Sequence, residues 1–144
     1  MRNRKYTVLI INTMAAIFMI LLTYSIGFGQ QEKVYIVINE ATWCKYCKAH
    51  SERVNKVIHD FSAEKEILII HRDITDKNTS KKYDPTLKSL RIYEYMNGHK
   101  EAAMVYVFNS KTNKVIDGFR LKSDDAEIVT ILKRSMEKVQ ANPN

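Results

Sequence analysis

The sequence predicts an α/β domain in which helices cover both faces of a mixed four-stranded sheet, in the order βαβαββα. Four short runs are rich in β-branched and aromatic residues, which is the composition of buried strands. Three other segments carry apolar residues at steps of three and four, the spacing of one helix face. The first two strands are joined through a helix and must therefore be parallel, whereas the last two are close enough for a hairpin.

The predicted strands lie between polar or turn-forming segments. They cover residues 33–39, 66–73, 102–109 and 114–121. A short polar turn at 110–113 separates the third strand from the fourth, which favours antiparallel pairing between these two. Because the first pair is parallel and the last pair antiparallel, we expect the sheet to be mixed.

Three helices are predicted from capping residues and apolar spacing. The first begins at Cys44. The second opens at Pro85, after a lysine-rich loop at 74–84, and ends near Gly98, and the third follows its cap at Asp124. Their apolar faces consist, in chain order, of Cys47, His50, Val54, Val57, Ile58 and Phe61; Leu87, Leu90, Ile92 and Tyr95; and Ile128, Ile131, Leu132, Met136 and Val139.

Residues 1–29 have the order of a secretory signal peptide: basic residues, an apolar run at 8–26, and small residues before a cleavage site after Gly29. The run is 19 residues long, so it is also long enough to remain as an uncleaved membrane anchor. We favour cleavage, because polar residues dilute the run. In either case we expect the domain at 30–140, with a tail at 141–144, to be exported, and to meet the membrane only if the leader is retained.

Charge and composition argue against a nucleic-acid partner. The leader carries three basic residues and no acidic ones, so the net charge of +7 falls to +4 for residues 30–144. The remaining bases are mixed with acids along the chain rather than gathered in a stripe with interleaved aromatic residues. We therefore expect a solvated basic surface. Export also places the cysteines where disulfides persist.

Cys44 and Cys47 are the only cysteines of the chain, and two residues separate them at the start of a predicted helix. Such a pair can be a redox couple, part of a metal site or a structural disulfide. A purely structural disulfide is disfavoured, because so short a loop removes little chain entropy. A structural zinc site needs four ligands, which is more than the cysteine pair provides. His50 is the one candidate third ligand, or else it packs beneath the motif. The other three histidines receive no role, and Lys48 in place of histidine excludes a haem-attachment motif.

The string from Trp43 to Lys48, with both cysteines, opens a helix directly after a strand and resembles the thioredoxin-like family over residues 33–139. The resemblance implies a thioredoxin-like fold and disulfide exchange. Amide hydrogens and the positive end of the helix dipole stabilise a thiolate at a helix start. Cys44 is then the attacking thiolate, facing solvent, and Cys47 is the resolving thiol, one turn deeper.

Three neighbours of the cysteines are candidate supporting residues. Trp43 resembles the family tryptophan that packs beside the thiolate and lines the partner groove, although a surface aromatic residue is the simpler alternative. Lys45 adds positive charge beside the nucleophile or is merely solvated. Tyr46 stacks on a partner or covers the helix.

Two positions depart from the family pattern. Many thioredoxins keep a buried acid six residues before the first cysteine, where this chain has Ile38. Glu40 is the candidate substitute, unless it is exposed at the end of the strand. The family also has a cis-proline before the third strand, where this chain has Ala103, or Met104 if the register shifts by one residue. Because a cis bond before a non-proline residue costs about 2.5–4 kcal/mol, we predict trans bonds here.

Taken together, these residues predict an exported thiol–disulfide oxidoreductase, periplasmic or otherwise extracytoplasmic. Cys44 and Cys47 exchange a disulfide with protein thiols or disulfides and with an upstream redox partner. We expect a monomer that needs no cofactor. The alternative is a module of the same fold that holds a metal ion through Cys44, Cys47 and His50, or that binds a partner without turnover.

Overall fold

The computed structural model describes residues 33–63 and 65–141. The predicted leader at 1–29 lies outside these residues, and so do residues 142–144 of the predicted tail. Ala141, predicted to begin the tail, is the last residue of the last helix. Within the described ranges, no helix is both long enough and apolar enough to cross a bilayer.

The four predicted strands form one mixed sheet. They are β1 (Val34–Glu40), β2 (Ile67–Asp73), β3 (Met104–Asn109) and β4 (Val115–Arg120). The order across the sheet is β2-β1-β3-β4, with β1 parallel to β2 and antiparallel to β3. The pair β3 and β4 is antiparallel, so the predicted hairpin is confirmed.

The helices are α1 (Lys45–Ser62), α2 (Lys77–Lys81), α3 (Asp84–Ser89), α4 (Tyr93–Gly98) and α5 (Asp125–Ala141). Two predictions on helices are wrong. The loop at 74–84 contains α2, because the Asp76 carboxylate accepts hydrogen bonds from the first free amides of that helix. The predicted single helix after Pro85 is divided into α3 and α4, because Arg91 adopts a left-handed conformation, with φ of 57°.

The side chains of the sheet alternate between two apolar clusters. Ile36 and Ile38 of β1 pack with α1 and α5 on one face, and Tyr35 and Val37 pack with α3 and α4 on the other. The prediction of helices on both faces is therefore confirmed. Glu40 and His71 continue the alternation of β1 and β2, which places both side chains on the face that α1 covers.

A buried arginine anchors α4 to the opposite face of the sheet. The side chain of Arg72 is 2% exposed. Its Nη1 donates to the carbonyl oxygens of Met96, at 2.9 Å, and His99, at 3.1 Å. It also lies 3.4 Å from the Asn39 side-chain oxygen, while Nη2 reaches the Ser80 hydroxyl at 3.3 Å. These bonds hold the segment that follows β2 against the sheet.

Candidate active site

The two cysteines form a disulfide at the start of α1. Cys44 is the N-cap residue of this helix, and its Sγ accepts a hydrogen bond from the amide of Cys47, at 3.1 Å. The chain turns sharply from β1 into the helix, because the Cys44 amide donates to the Ala41 carbonyl, also at 3.1 Å. The Cα atoms of the cysteines are 5.2 Å apart, a separation at which a disulfide forms readily.

Both sulfur-bearing residues are buried, at 6% exposure for Cys44 and 5% for Cys47. This differs from the expectation of one solvent-facing and one deeper cysteine, because the disulfide holds both against the apolar cluster under α1. Ala41 and Ala103 belong to the same cluster. Little of the surface of either cysteine is therefore exposed to solvent.

Two exposed aromatic residues flank the disulfide. Trp43 is 62% exposed and Tyr46 is 58% exposed. The Trp43 indole donates to the carbonyl of Thr75, at 3.0 Å, so its ring is fixed to the segment that follows β2. The rings of Tyr46 and His50 lie nearly parallel, with centroids 6.4 Å apart. Trp43, directly before Cys44, and Tyr46, between the two cysteines, thus leave aromatic surface exposed next to the pair.

The charge at the start of α1 favours a thiolate. Lys45 and Lys48 are both exposed, and the first turn of the helix contains no acidic residue. Positive charges and free amides at a helix start lower the pKa of a cysteine thiol. In the disulfide form, Cys44 Sγ also accepts a hydrogen bond from the Cys47 amide.

Ala103 lies just before β3, which begins at Met104 rather than at residue 102 as the strand prediction had it, and is buried in the same apolar cluster as the cysteines. No peptide bond of the described residues is cis, so the prediction of trans bonds before Ala103 and Met104 is confirmed. The backbone of Ala103 is instead left-handed, with φ of 62°. Its amide donates to the Asn39 carbonyl and its carbonyl accepts from the Leu121 amide, both at 2.9 Å.

Comparison with known proteins gives a match by structure alone. No family model and no curated protein matches the sequence. A thiol:disulfide interchange protein of the thioredoxin family from Chlorobium tepidum TLS is 18% identical and matches 74% of this chain and 81% of its own, with a TM-score of 0.50. Thioredoxin f2 from Chlamydomonas reinhardtii is 13% identical over 74% and 82%, with a TM-score of 0.49. The chain has the thioredoxin-like fold.

On this thioredoxin-like fold, Glu40 lies near the end of α1 that carries the cysteines. Its side chain is 26% exposed, and its Oε2 is 3.3 Å from His71 Nδ1. The hydrogen bond with His71 lowers the pKa of Glu40; burial opposes this shift, and the nearby Ser51 hydroxyl supports it. The same bond with Glu40 raises the pKa of His71 above its ordinary value, against the effect of burial. Glu40 is therefore neither free in solvent nor fully buried.

The sequence analysis did not foresee that His71, to which it gave no role, pairs with Glu40. The signal that could have found it is strand alternation. On β1, Glu40 follows Ile36 and Ile38 at steps of two residues and therefore shares their face, which packs against α1. On the parallel strand β2, His71 follows Ile69 by two residues and shares the same face. Sequence reasoning also missed Thr75, because the residues that it contacts, Thr42 and Trp43, are distant in sequence.

His50 does not join the cysteines in a metal site. It is half-buried beside Tyr46. Among residues 33–63 and 65–141, no three side chains of histidine, cysteine, aspartate or glutamate lie close enough together to hold a metal ion. The donor set considered for the thioredoxin-like domain, Cys44, Cys47 and His50, is thus not assembled in this structure.

Proposed function

We propose that this chain is an exported thiol–disulfide oxidoreductase that exchanges the Cys44–Cys47 disulfide with protein partners. The observation that carries the proposal is the pairing of the two cysteines at the first turn of α1, with Cys44 as the N-cap. A helix start favours the thiolate that disulfide exchange requires. The exposed rings of Trp43 and Tyr46 supply a contact surface next to the pair.

The exchange proceeds in two steps that conserve atoms and electrons. In the reduced protein, the Cys44 thiolate attacks a partner disulfide, so that one sulfur joins Cys44 and the other leaves as a thiolate. The Cys47 thiol then loses its proton, and its sulfur attacks Cys44. The second partner thiolate leaves, two electrons have passed to the partner, and the Cys44–Cys47 disulfide has formed. The reverse sequence oxidises a partner dithiol.

A trapping experiment tests this function. Replacing Cys47→Ala leaves Cys44 able to attack but removes the resolving thiol, so mixed disulfides with partners should accumulate. They should appear as thiol-sensitive adducts on a non-reducing gel of a native extract. Cys44→Ala is the matched control, since it removes the attacking sulfur and should trap little. If the two variants give equal adducts, or none, the proposed exchange is wrong.

Export is supported by the leader pattern of residues 1–29, and it is tested separately. The intact mass of the protein recovered from outside the cytoplasmic membrane should correspond to a chain that begins at Gln30 if the leader is cleaved after Gly29. A full-length mass in the membrane fraction would show an anchored form. Recovery of all the protein from the cytosol would contradict export.

A further inference from the structure

A pocket with three lysine side chains lies on the segment between the end of β2 and the residues after α4. This lysine pocket has a volume of about 480 Å³, and its charged lining residues are Lys77, Lys81, Lys100, Asp76 and Asp84. All three lysines are exposed. Within the part of the chain that the structure describes, none of their ammonium groups forms an ion pair or a hydrogen bond. The cationic groups are therefore available to a ligand.

The two aspartates of the lysine pocket leave its charge positive. Three lysines and two aspartates give the lining a net charge of +1. The Asp76 carboxylate already accepts hydrogen bonds from the amides of Asn78, at 2.7 Å, and Thr79, at 2.9 Å, as the cap of α2. The hydrogen bond from the Thr79 backbone lowers the pKa of Asp76, so this group stays charged near neutral pH. One further negative charge balances the lining.

A buried cation lies one hydrogen bond away from the lysine pocket. Ser80 lines the pocket, and its hydroxyl accepts a hydrogen bond from Nη2 of the buried Arg72. The other partners of this guanidinium among the described residues are carbonyl and amide oxygens rather than carboxylates, and its Nε has no partner there. Burial lowers the pKa of Arg72, and the charge of Asp84 opposes this shift. Because buried charges are usually paired, an anion in the pocket supplies a missing countercharge.

The lysine pocket adjoins the candidate active site through Thr75. This residue lies between Ile74 and Asp76, both of which line the pocket. The Thr75 carbonyl accepts the hydrogen bond of the Trp43 indole, at 3.0 Å, and the Thr75 hydroxyl accepts one from the Thr42 amide, at 2.9 Å. The pocket and the exposed indole therefore share one short segment. A polypeptide that lies across Trp43 can place a side chain in the pocket.

We propose that the lysine pocket binds one aspartate or glutamate side chain of the partner protein while Cys44 is bonded to that partner. The proposal rests on the proposed function and adds a class of partner, namely proteins with an acidic residue near the reacting cysteine.

The charge of the lining distinguishes a carboxylate from other anions. A single carboxylate matches the lining charge of +1, and lysine ammonium groups donate charge-assisted hydrogen bonds to its oxygens. Asp76 and Asp84 repel a group with more negative charge, such as a phosphate. The position of the pocket next to Trp43 favours a carboxylate that belongs to the partner polypeptide over one that belongs to a free small acid.

Competition between two peptide thiols for Cys44 tests the lysine pocket. The reduced full chain with Cys47→Ala is equilibrated with oxidised glutathione and equal amounts of two single-cysteine peptides, which differ only in one glutamate or glutamine. Acid quenching and mass spectrometry give the ratio of the two peptide adducts on Cys44. Different peptide pairs place the varied residue about 7–20 Å from the cysteine along an extended chain, on either side. We expect the glutamate adduct to exceed the glutamine adduct by roughly 3- to 10-fold in at least one pair, as exposed ionic contacts allow.

Adding Lys77→Gln and Lys100→Gln to this chain should bring the ratio of that peptide pair close to unity. Adding Lys122→Gln and Lys133→Gln is the matched control, because it removes the same charge from exposed sites outside the pocket and should leave the ratio unchanged. Salt at about 500 mM should also lower the ratio, since it screens ionic contacts.

The outcomes separate the pocket from the proposed function. Ratios near unity for every peptide pair, or equal falls in the two double-lysine variants, would overturn the pocket alone. Loss of the preference when free glutarate is added at the concentration of the peptides would assign the pocket to a small acid and overturn the partner assignment. Absence of any peptide adduct on Cys44 would overturn the proposed function together with the pocket.

Discussion

Ala103, just before β3, has a backbone conformation that proline cannot adopt. The residue has φ of 62°, whereas a proline ring holds φ near −65°. Its amide donates to the Asn39 carbonyl, and proline has no amide hydrogen to donate. The loop beside the cysteines is therefore fixed by two backbone hydrogen bonds, one to β1 and one to Leu121 after β4.

Substitutions at Ala103 should separate the effect of its left-handed φ from the effect of its amide hydrogen bond. Ala103→Gly should stabilise the protein by about 1 kcal/mol, because glycine adopts a left-handed conformation without strain. Ala103→Pro should destabilise it by about 3 kcal/mol or more, through the lost donor and the wrong φ. Urea unfolding measures both changes. Arg91→Gly, at an exposed left-handed residue far along the chain, is the control for the glycine effect. A stabilising proline would contradict this account of the loop.

The charges next to Cys44 lead to a prediction about redox potential. A positive charge such as Lys45 and the free amides of a helix start favour a thiolate, which belongs to the reduced form. We therefore expect a potential above the thioredoxin value of about −270 mV, measured by equilibration with glutathione buffers. Lys45→Gln should lower it by about 5–20 mV, because an exposed charge contributes less than about 1 kcal/mol. A Cys44 pKa near that of free cysteine would remove the basis of this prediction.

At the scale of elements, Arg72 joins β2 to α4 by hydrogen bonds with the last carbonyls of that helix. Replacing Arg72→Ala leaves these carbonyls and the Asn39 side chain without a buried donor. We expect a loss of about 2–4 kcal/mol in the free energy of unfolding. Arg91→Ala, at an exposed site, should change it by less than about 0.5 kcal/mol. Equal effects of the two substitutions would show that Arg72 does not anchor the helix.

The Glu40–His71 pair joins β1 to β2 and should make stability depend on pH. Because the pKa of His71 is raised, its contribution to the free energy of unfolding is complete below about pH 6.5. This contribution is lost as the pH rises through the raised pKa. Because the pKa of Glu40 is lowered, its contribution is complete above about pH 4.3 and is lost as the pH falls through the lowered value. The pair therefore stabilises most between these limits.

Urea unfolding of His71→Gln tests this window. The variant should be less stable than the wild type at about pH 5.5 and nearly equal to it at about pH 8.5. The difference should stay below about 1 kcal/mol, since His71 is half exposed. Glu66→Gln, which removes the Lys33–Glu66 ion pair, is the control, and its effect should be the same at both pH values. An equal effect of His71→Gln at both values would contradict the prediction.

The sequence was sufficient to predict the sheet, its pairing and the two long helices, because apolar periodicity runs unbroken through them. It was not sufficient to predict the break between α3 and α4. The break lies at Arg91, whose left-handed conformation is usually indicated in a sequence by glycine. The helix α2 has no buried residue and depends on its Asp76 cap, so it leaves no periodic signal. The cysteine pair is local and was predictable, whereas the pairing of Glu40 with His71 depends on sheet register.

At the scale of the whole molecule, the exposed apolar surface coincides with the candidate active site. Trp43 and Tyr46 are the only large apolar side chains that are exposed in residues 33–63 and 65–141. Contiguous exposed apolar groups commonly mark interaction sites. Association with other proteins is therefore expected next to Cys44.

Two exposed rings are too small a surface for a stable dimer, which commonly buries about 800 Å² on each partner. We expect the domain to remain a monomer, with a molar mass by light scattering that does not change between about 10 and 200 µM. The double variant Trp43→Ser and Tyr46→Ser should have the same mass and should trap fewer partners when combined with Cys47→Ala. A dimer that this double variant dissociates would contradict the expectation.

The fixed indole of Trp43 gives the protein an intrinsic optical signal. The chain has a single tryptophan, so its emission comes from one known place, directly before Cys44. Disulfides quench indole fluorescence at short range, and the hydrogen bond to Thr75 restricts the orientation of the ring. Emission should therefore brighten when the cysteines are reduced. It should shift to shorter wavelength when a partner excludes water from the ring, so oxidation state and docking can be followed without a label.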